Sequence, residues 1–149
     1  MGCVLRLEAR HQAVIVVDAS AAVEMLLHTS AGDRCLDAAT MWLPAIAPGH
    51  FDAEVYSALR RAYLQRRIDR ASLGTLVAQL SGFDAERVPL DPLLPGAPHF
   101  ADVLGAHDVF YVLLAISRAC PLLTCDAGLA RAAARLGVEV IAIGPSGPA

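Results

Sequence analysis

The chain contains no lysine and no asparagine, and all of its 12 basic residues are arginines. P-loop nucleotide-binding proteins need a lysine that reaches the phosphates. Phosphatases of the haloacid dehalogenase type and receiver domains, which also place an aspartate after a first strand, need a lysine as well. The absence of lysine therefore argues against three common α/β classes that handle phosphate.

Paired cysteines and long apolar runs are also lacking. Cys3, Cys35, Cys120 and Cys125 form no C-x-x-C motif, which argues against a zinc site and favours reduced, small apolar side chains. No apolar run approaches the roughly 20 residues of a membrane-spanning helix. Residues 1–12 have no apolar centre like that of a signal peptide. We therefore expect a cytoplasmic protein with no membrane segment.

The chain is rich in apolar residues and poor in charge. Its 149 residues, of which 56 % are hydrophobic and 18 % charged, fit one domain of roughly 100–200 residues. The net charge of −3 is unfavourable for a surface that binds nucleic acid. A metal ion held by acidic side chains can reverse the local sign, so net charge alone does not decide the function.

Short apolar runs alternate with helical patterns along the chain, which predicts an α/β domain with a central, mainly parallel sheet between two layers of helices. This domain covers 13–143, between an N-terminal extension at 1–12 and a tail at 144–149. Apolar spacing predicts that Val77 and Ile116 face inward. Strands are predicted at 13–17, 43–47, 87–90, 121–124 and 138–143, helices at 19–27, 31–39, 49–67, 70–82, 100–104, 108–118 and 129–136, and a loop at 91–98.

Four acidic residues border these apolar segments. Asp18 and Asp126 end the first and fourth predicted strands, Asp108 begins a helix, and Glu54 lies in the first turns of another. The carboxyl ends of parallel strands share one edge of a sheet, so these acids can converge there. Clustered carboxylates repel each other unless a cation lies among them. An all-oxygen ligand set favours Mg²⁺ or Mn²⁺.

Taken singly, each acid has a simpler interpretation. An aspartate at a helix start is often only an N-cap, which stabilises the helix by about 1 kcal/mol. This explanation is about as good as metal binding for Asp18, Asp108 or Asp126 alone. Glu54 alone is better explained as a solvated helix residue. The four acids together favour a metal site.

Four segments, in order along nearly the whole chain, resemble one known family. They are VIVVDASAAVEMLL (14–27), PGHFDAEVYSALRR (48–61), AHDVFYVLLAISRACPLLTCD (106–126) and AGLARAAARLGVEVI (127–141). The chain is similar to PIN-domain proteins, and specifically to VapC-type ribonuclease toxins of type II toxin–antitoxin systems. The resemblance implies a PIN-like three-layer fold and an Mg²⁺- or Mn²⁺-dependent endoribonuclease. Its catalytic and metal-binding residues would be Asp18, Glu54, Asp108 and Asp126.

The resemblance also suggests supporting roles around the acids. Ser20 and Thr124 match small hydroxyl residues that would orient ligands or water, although local capping of the helix starts explains them about as well. His107, where the family often has tyrosine, would reach phosphate or only lie at the rim. Arg60 and Arg61 would contact the RNA backbone, or else belong to a solvated helix face.

Partners follow from the same resemblance, because VapC-type proteins typically form homodimers and are blocked by a cognate antitoxin. It implies an RNA substrate, a homodimer and a VapB-type antitoxin. The helix at 19–27 and the one after residue 31 would form a groove for an amphipathic antitoxin segment, whose arginine reaches toward the acids. Two alternatives stay open: a PIN nuclease with a non-toxin role in RNA processing, and a PIN-like module that binds proteins without catalysis.

Overall fold

Five short strands form one sheet in the computed structural model of the chain, which describes residues 14–145. The strands lie in the order β3-β2-β1-β4-β5, and every neighbouring pair is parallel. The predicted parallel sheet is confirmed, and its chain order reverses beside β1. The strands are β1 (Ile15–Val17), β2 (Ala45–Pro48), β3 (Glu86–Val88), β4 (Leu122–Thr124) and β5 (Val140–Ala142).

Helices connect the strands and cover the sheet. The three inner strands, β2, β1 and β4, are buried along their whole length, as expected for parallel strands with helices on both faces. The helices are α1 (Ala19–Leu26), α2 (Ser30–Thr40), α3 (Phe51–Leu64), α4 (Arg70–Ser81), a 3-10 helix (Leu94–Phe100), α5 (Asp108–Arg118) and α6 (Ala127–Arg135). None of the helices within residues 14–145 is long and apolar enough to cross a membrane.

Local capping residues explain where several helices begin and end. Thr29 precedes α2 and accepts a hydrogen bond from the Gly32 amide. Asp69 precedes α4 and accepts one of 2.7 Å from the Ser72 amide. Both are N-caps, which satisfy amides that a helix start leaves without partners. Gly137 follows α6 with a φ of +82°, a left-handed conformation that glycine adopts without strain.

Two sequence predictions about this fold were wrong. The stretch at 91–98 is not all loop, and no helix covers 100–104, because the 3-10 helix occupies Leu94–Phe100 instead. Its prolines hold the backbone near helical dihedrals, although in sequence they favour a loop. Val77 and Ile116 are 36 % and 45 % exposed rather than inward, since the buried stripes of α4 and α5 are narrower than their apolar faces.

The predicted boundaries cannot all be compared with the structure. The extension at 1–12, with Cys3, and the first predicted strand residue, Ala13, lie outside the described residues. So do residues 146–149 of the predicted tail. The limits of the domain therefore stay a prediction at both ends.

Candidate active site

Asp18 is held at the carboxyl end of β1 by hydrogen bonds from two hydroxyl groups. The residue is 3 % exposed, and its backbone amide donates to the Leu123 carbonyl of β4 at 2.9 Å. It directly precedes α1, yet its side chain makes no cap hydrogen bond. Its Oδ2 instead accepts hydrogen bonds from Thr124 Oγ1 at 2.7 Å and from Ser20 Oγ. The geometry thus argues against a capping role for Asp18.

The hydroxyl groups of Ser20 and Thr124 each donate one hydrogen bond and accept another. Ser20 Oγ accepts from the Cys125 amide at 2.9 Å, and Thr124 Oγ1 accepts from the Asp126 amide at 3.0 Å. Each hydroxyl has one proton, which it donates to Asp18. The 3.2 Å contact between Ser20 Oγ and Thr124 Oγ1 therefore has no proton left to share. Both residues join β1 to the turn after β4 rather than only capping their own helices.

The environment of Asp18 disfavours its charge. Burial raises its pKa from 3.8 to about 6, while the hydrogen bonds from Ser20 and Thr124 act in the opposite direction. The negative charges of Glu54 and Asp108 raise the pKa further. Such a carboxylate gains stability when a cation approaches, because opposite charge offsets both the desolvation and the repulsion.

Asp126 caps α6 with one oxygen only. Its Oδ1 accepts from the Gly128 amide at 2.7 Å and from the Leu129 amide at 3.0 Å. The capping interpretation is therefore correct for this oxygen. The Oδ2 atom has no hydrogen-bond partner within residues 14–145. The cap fixes the carboxylate and leaves its second oxygen available.

Asp108 and Glu54 complete the cluster from two helices. Asp108 is the first residue of α5, and burial raises its pKa, as do the charges of Asp126 and Glu54. Glu54 lies in the first turn of α3, where its Oε2 is buried without a hydrogen bond. Glu54 is therefore not the solvated helix residue that its sequence position alone suggests.

The structure thus brings all four predicted acids into electrostatic contact. Within residues 14–145, however, no three acidic, histidine or cysteine side chains lie close enough together to hold a metal ion as they stand. The set fits Mg²⁺ or Mn²⁺ in its chemistry, because it consists of carboxylate oxygens and because two of the carboxyl groups have raised pKa values.

A pocket of ≈ 650 Å³ lies between α1, α3 and the turn before α6, and two of the four acids, Glu54 and Asp126, line it. Its size lies within the range of known ligand sites. Arg61 lines this pocket, whereas Arg60 is exposed and does not. His107 is exposed at the mouth, as the rim interpretation predicts. Further lining residues include Ser20, Glu24, His50, Glu54 and Asp126.

Sequence analysis missed His50, which directly precedes α3 and lies beside the acids. Its Nε2 is 3.2 Å from Glu54 Oε2, and it lines the same pocket as Glu54 and Asp126. The spacing of four positions between His50 and Glu54 places both on one helix face. That spacing is the one sequence signal that would have suggested the pair.

The cysteines that the structure describes are free thiols, as expected. Cys35 Sγ lies 3.4 Å from Cys125 Sγ, and Cys125 also lines the pocket. Burial raises the pKa of Cys35 to about 12 and also raises the pKa of Cys125. Both therefore act as small packing residues that join α2 to the turn before α6.

Comparisons with known proteins agree with this geometry. The family model of the PIN domain matches residues 15–135. Ribonuclease VapC12 of Mycobacterium tuberculosis is 37 % identical over 121 residues, which cover 79 % of this chain and 91 % of the relative. Ribonuclease VapC3 of the same organism is 41 % identical over 120 residues, which cover 79 % and 86 %.

Two solved structures show the same fold. The crystal structure of PAE2754 from Pyrobaculum aerophilum has a TM-score of 0.59 at 23 % identity, and the alignment covers 91 % of this chain and 89 % of that one. FitAcB from Neisseria gonorrhoeae has a TM-score of 0.60 at 15 % identity, covering 85 % and 96 %. The match of the family model over residues 15–135, together with the two ribonuclease relatives, establishes that the chain belongs to the PIN-domain family.

Proposed function

We propose that the chain is a metal-dependent endoribonuclease that acts as the toxin of a toxin–antitoxin pair in the cytoplasm. One observation carries the proposal: a buried aspartate, Asp18, is fixed by two hydroxyl groups and interacts with the charges of Glu54 and Asp108, next to a pocket lined by Glu54 and Asp126. Relatives at 37–41 % identity are ribonucleases by name, which supports RNA as the substrate. Hydrolysis of the phosphodiester bond would leave a 5′-phosphate and a 3′-hydroxyl.

Asp18, Asp108 and Asp126, with help from Glu54, are the proposed holders of Mg²⁺ or Mn²⁺. When bound, such an ion lowers the pKa of a water and offsets the charge that builds up on the phosphate. Ser20 and Thr124 hold one oxygen of Asp18 and so fix the direction of the other. The Asp126 cap acts in the same way, because it binds Oδ1 and leaves Oδ2 for a ligand.

Arg61 is the proposed contact to the RNA backbone. It lines the same pocket as Glu54 and Asp126, and the other residues that line this pocket include no arginine. A guanidinium group there attracts phosphate into a site that is otherwise acidic. Arg60 is exposed beside it and would act on the approach of RNA rather than in the pocket.

The proposed protein partner is a VapB-type antitoxin. A second, more apolar pocket of ≈ 420 Å³ lies against α1, α2 and α4. Leu36 and Leu43 line it, although they are 55 % and 57 % exposed, so an amphipathic segment seated there would cover them. An arginine of the antitoxin that reaches the acids would offset their repulsion. A homodimer is also proposed, since Val103 on another face is 59 % exposed.

The test is cleavage of total RNA by the purified protein with Mg²⁺, with Mn²⁺ and with EDTA. Discrete cuts that need the metal, and that Asp18→Asn abolishes, would support the proposal. Asp84→Asn is the matched control, because Asp84 is exposed and precedes β3, at the opposite edge of the sheet. Wild-type cleavage by Asp18→Asn would contradict the assignment. An absence of cleavage together with an absence of Mn²⁺ binding would favour a non-catalytic binding module.

A further inference from the structure

Three aromatic side chains lead from the core to the mouth of the acidic pocket. Tyr111 is fully buried, His50 is 15 % exposed, and His107 is exposed. The His50 ring meets Tyr111 edge-on, with centroids 5.2 Å apart and planes at 67°. It lies nearly parallel to the His107 ring, with centroids 5.4 Å apart and planes at 21°. The series therefore ends in a ring at the pocket mouth.

His50, on which the His107 ring stacks, is held in place by several contacts. A second edge-on contact, with Phe110 at 5.6 Å and 62°, holds it from another side. Its Nε2 lies 3.2 Å from Glu54 Oε2. Aromatic pairs prefer offset-stacked or edge-to-face arrangements at such distances, and His50 makes one contact of the first kind and two of the second. His107 is thereby oriented although no hydrogen bond from its imidazole exists within residues 14–145.

The position of this ring relates it to the reaction centre. His107 directly precedes Asp108 and lines the same pocket as Glu54 and Asp126. A group that rests on the His107 ring is therefore next to whatever occupies the site. A flat group is favoured there, because the exposed His107 ring offers a face on which such a group can stack.

We propose that His107 is a binding residue on which a nucleobase next to the cleaved phosphate stacks. The inference rests on the proposed ribonuclease function and adds a feature of the substrate. An unpaired base can turn toward the ring, whereas a base within a duplex is stacked on its neighbours. The substrate is accordingly single-stranded at the cut. Stacking tolerates any base, because every base has an aromatic face.

The test measures base stacking separately from cleavage. A short single-stranded RNA of mixed sequence that contains 2-aminopurine is bound to the Asp18→Asn protein in Mg²⁺, and fluorescence quenching gives Kd. When His107→Ala is introduced into the Asp18→Asn protein as a second substitution, Kd should rise about 10-fold and the quenching should be lost, as expected from the loss of one stacked base. His107→Phe should retain both, since it keeps a ring without any N–H group. His107→Gln should behave like His107→Ala.

Controls separate the stacking role from the other possibilities. His99→Ala removes an exposed histidine of the 3-10 helix that does not line the pocket, and it should leave Kd unchanged. Retained affinity in His107→Gln with loss in His107→Phe would overturn the proposal in favour of a phosphate contact. Unchanged affinity and quenching in His107→Ala would overturn it as well.

Cleavage assays then distinguish this inference from the proposed function. In the active protein, His107→Ala should raise KM more than it lowers kcat. With an RNA that has an abasic site beside the cut, the wild type and the His107→Ala variant should have the same KM. If the active protein cuts RNA but His107→Ala has wild-type KM, only the stacking role fails. If the active protein cuts no RNA although the fluorescence result holds, the ribonuclease function fails and base stacking stands.

Discussion

Thr124 Oγ1 donates a hydrogen bond of 2.7 Å to Asp18 Oδ2, although 106 sequence positions separate the two residues. The same oxygen accepts from the Asp126 amide at 3.0 Å. One threonine therefore connects two of the proposed metal ligands across β1 and β4. This link gives the first of five predictions.

Thr124→Val should lower activity and stability together. Valine has the shape of threonine, but it removes the donor to Asp18 and leaves the Asp126 amide without its acceptor. We expect a loss of about 1–3 kcal/mol in the free energy of unfolding, measured in urea, and a lower rate of RNA cleavage. Thr75→Val is the control, since Thr75 is exposed and bonds only to its own helix. Full activity and stability in Thr124→Val would contradict the role of this link.

Asp18→Asn should stabilise the metal-free protein at neutral pH. Burial raises the pKa of Asp18 from 3.8 to about 6, so the folded state binds the proton more tightly than the unfolded state does. The contribution of this group to stability is fully present below about pH 4 and is lost as pH rises through about 6. Asparagine keeps the acceptor oxygen and avoids the buried charge.

The expected gain at pH 7.5 is at most about 3 kcal/mol, since each pKa unit corresponds to about 1.4 kcal/mol. It is measured as the free energy of unfolding in urea with EDTA across pH 4 to 8. The difference between variant and wild type should shrink toward pH 4. A variant less stable than wild type at pH 7.5 would show that burial does not disfavour the charge.

Mn²⁺ should stabilise the wild-type protein and have little effect on the acid variants. Binding to the folded state alone adds about 2.7 kcal/mol when the ion is present at 100 times its Kd. Thermal unfolding with and without Mn²⁺ measures this gain, and Asp126→Asn should reduce it. Asp84→Asn should respond as wild type does. Equal stabilisation of all three proteins would place the ion elsewhere.

Arg61→Ala should raise KM for RNA, whereas Arg60→Ala should change it less. The two arginines are neighbours on α3, but only Arg61 lines the acidic pocket. Loss of one phosphate contact on single-stranded RNA reduces the slope of log affinity against log salt by about 0.7. Kd measured at several salt concentrations tests this slope. Identical slopes for the two variants would indicate that the arginines attract RNA without a specific contact.

Gly32→Ala should destabilise the fold, whereas Gly74→Ala should not. A Cβ at Gly32 would lie 2.1 Å from the carbonyl oxygen of Glu24, so α1 and α2 would have to separate, at a cost of about 3 kcal/mol. A Cβ at Gly74 meets nothing within 4 Å, and alanine favours an exposed helix by about 1 kcal/mol. Thermal unfolding compares both with wild type, and a stable Gly32→Ala would contradict this packing.

The sequence was sufficient to predict the sheet and the positions of the acids at its edge. Buried parallel strands are short apolar runs, so Asp18 and Asp126 stand out as the polar residues that end them. Helix faces were harder to predict. Val77 and Ile116 have suitable spacing, but apolar residues also remain on protein surfaces, and only the packing of α4 and α5 decides which ones are covered.

The environment of the site was not predictable from spacing. His50 has no sequence signal beyond its distance from Glu54, and its ring contacts involve residues of α5 that are remote in the chain. The hydrogen bond from Thr124 to Asp18 also depends on a long-range contact, because 106 positions separate the two residues. Sequence indicates which side chains carry chemistry, whereas their charge states depend on the assembled fold.

The strand order β3-β2-β1-β4-β5 also has a consequence for the synthesis of the protein. Asp18 and Glu54 are translated before β4, which pairs beside β1 and carries Thr124, and Asp126 follows β4. A nascent chain that has not yet exposed β4 therefore carries three of the four acids but lacks Asp126, and β1 lacks one of its two neighbouring strands. The acidic cluster can therefore assemble only after β4 and Asp126 have left the ribosome.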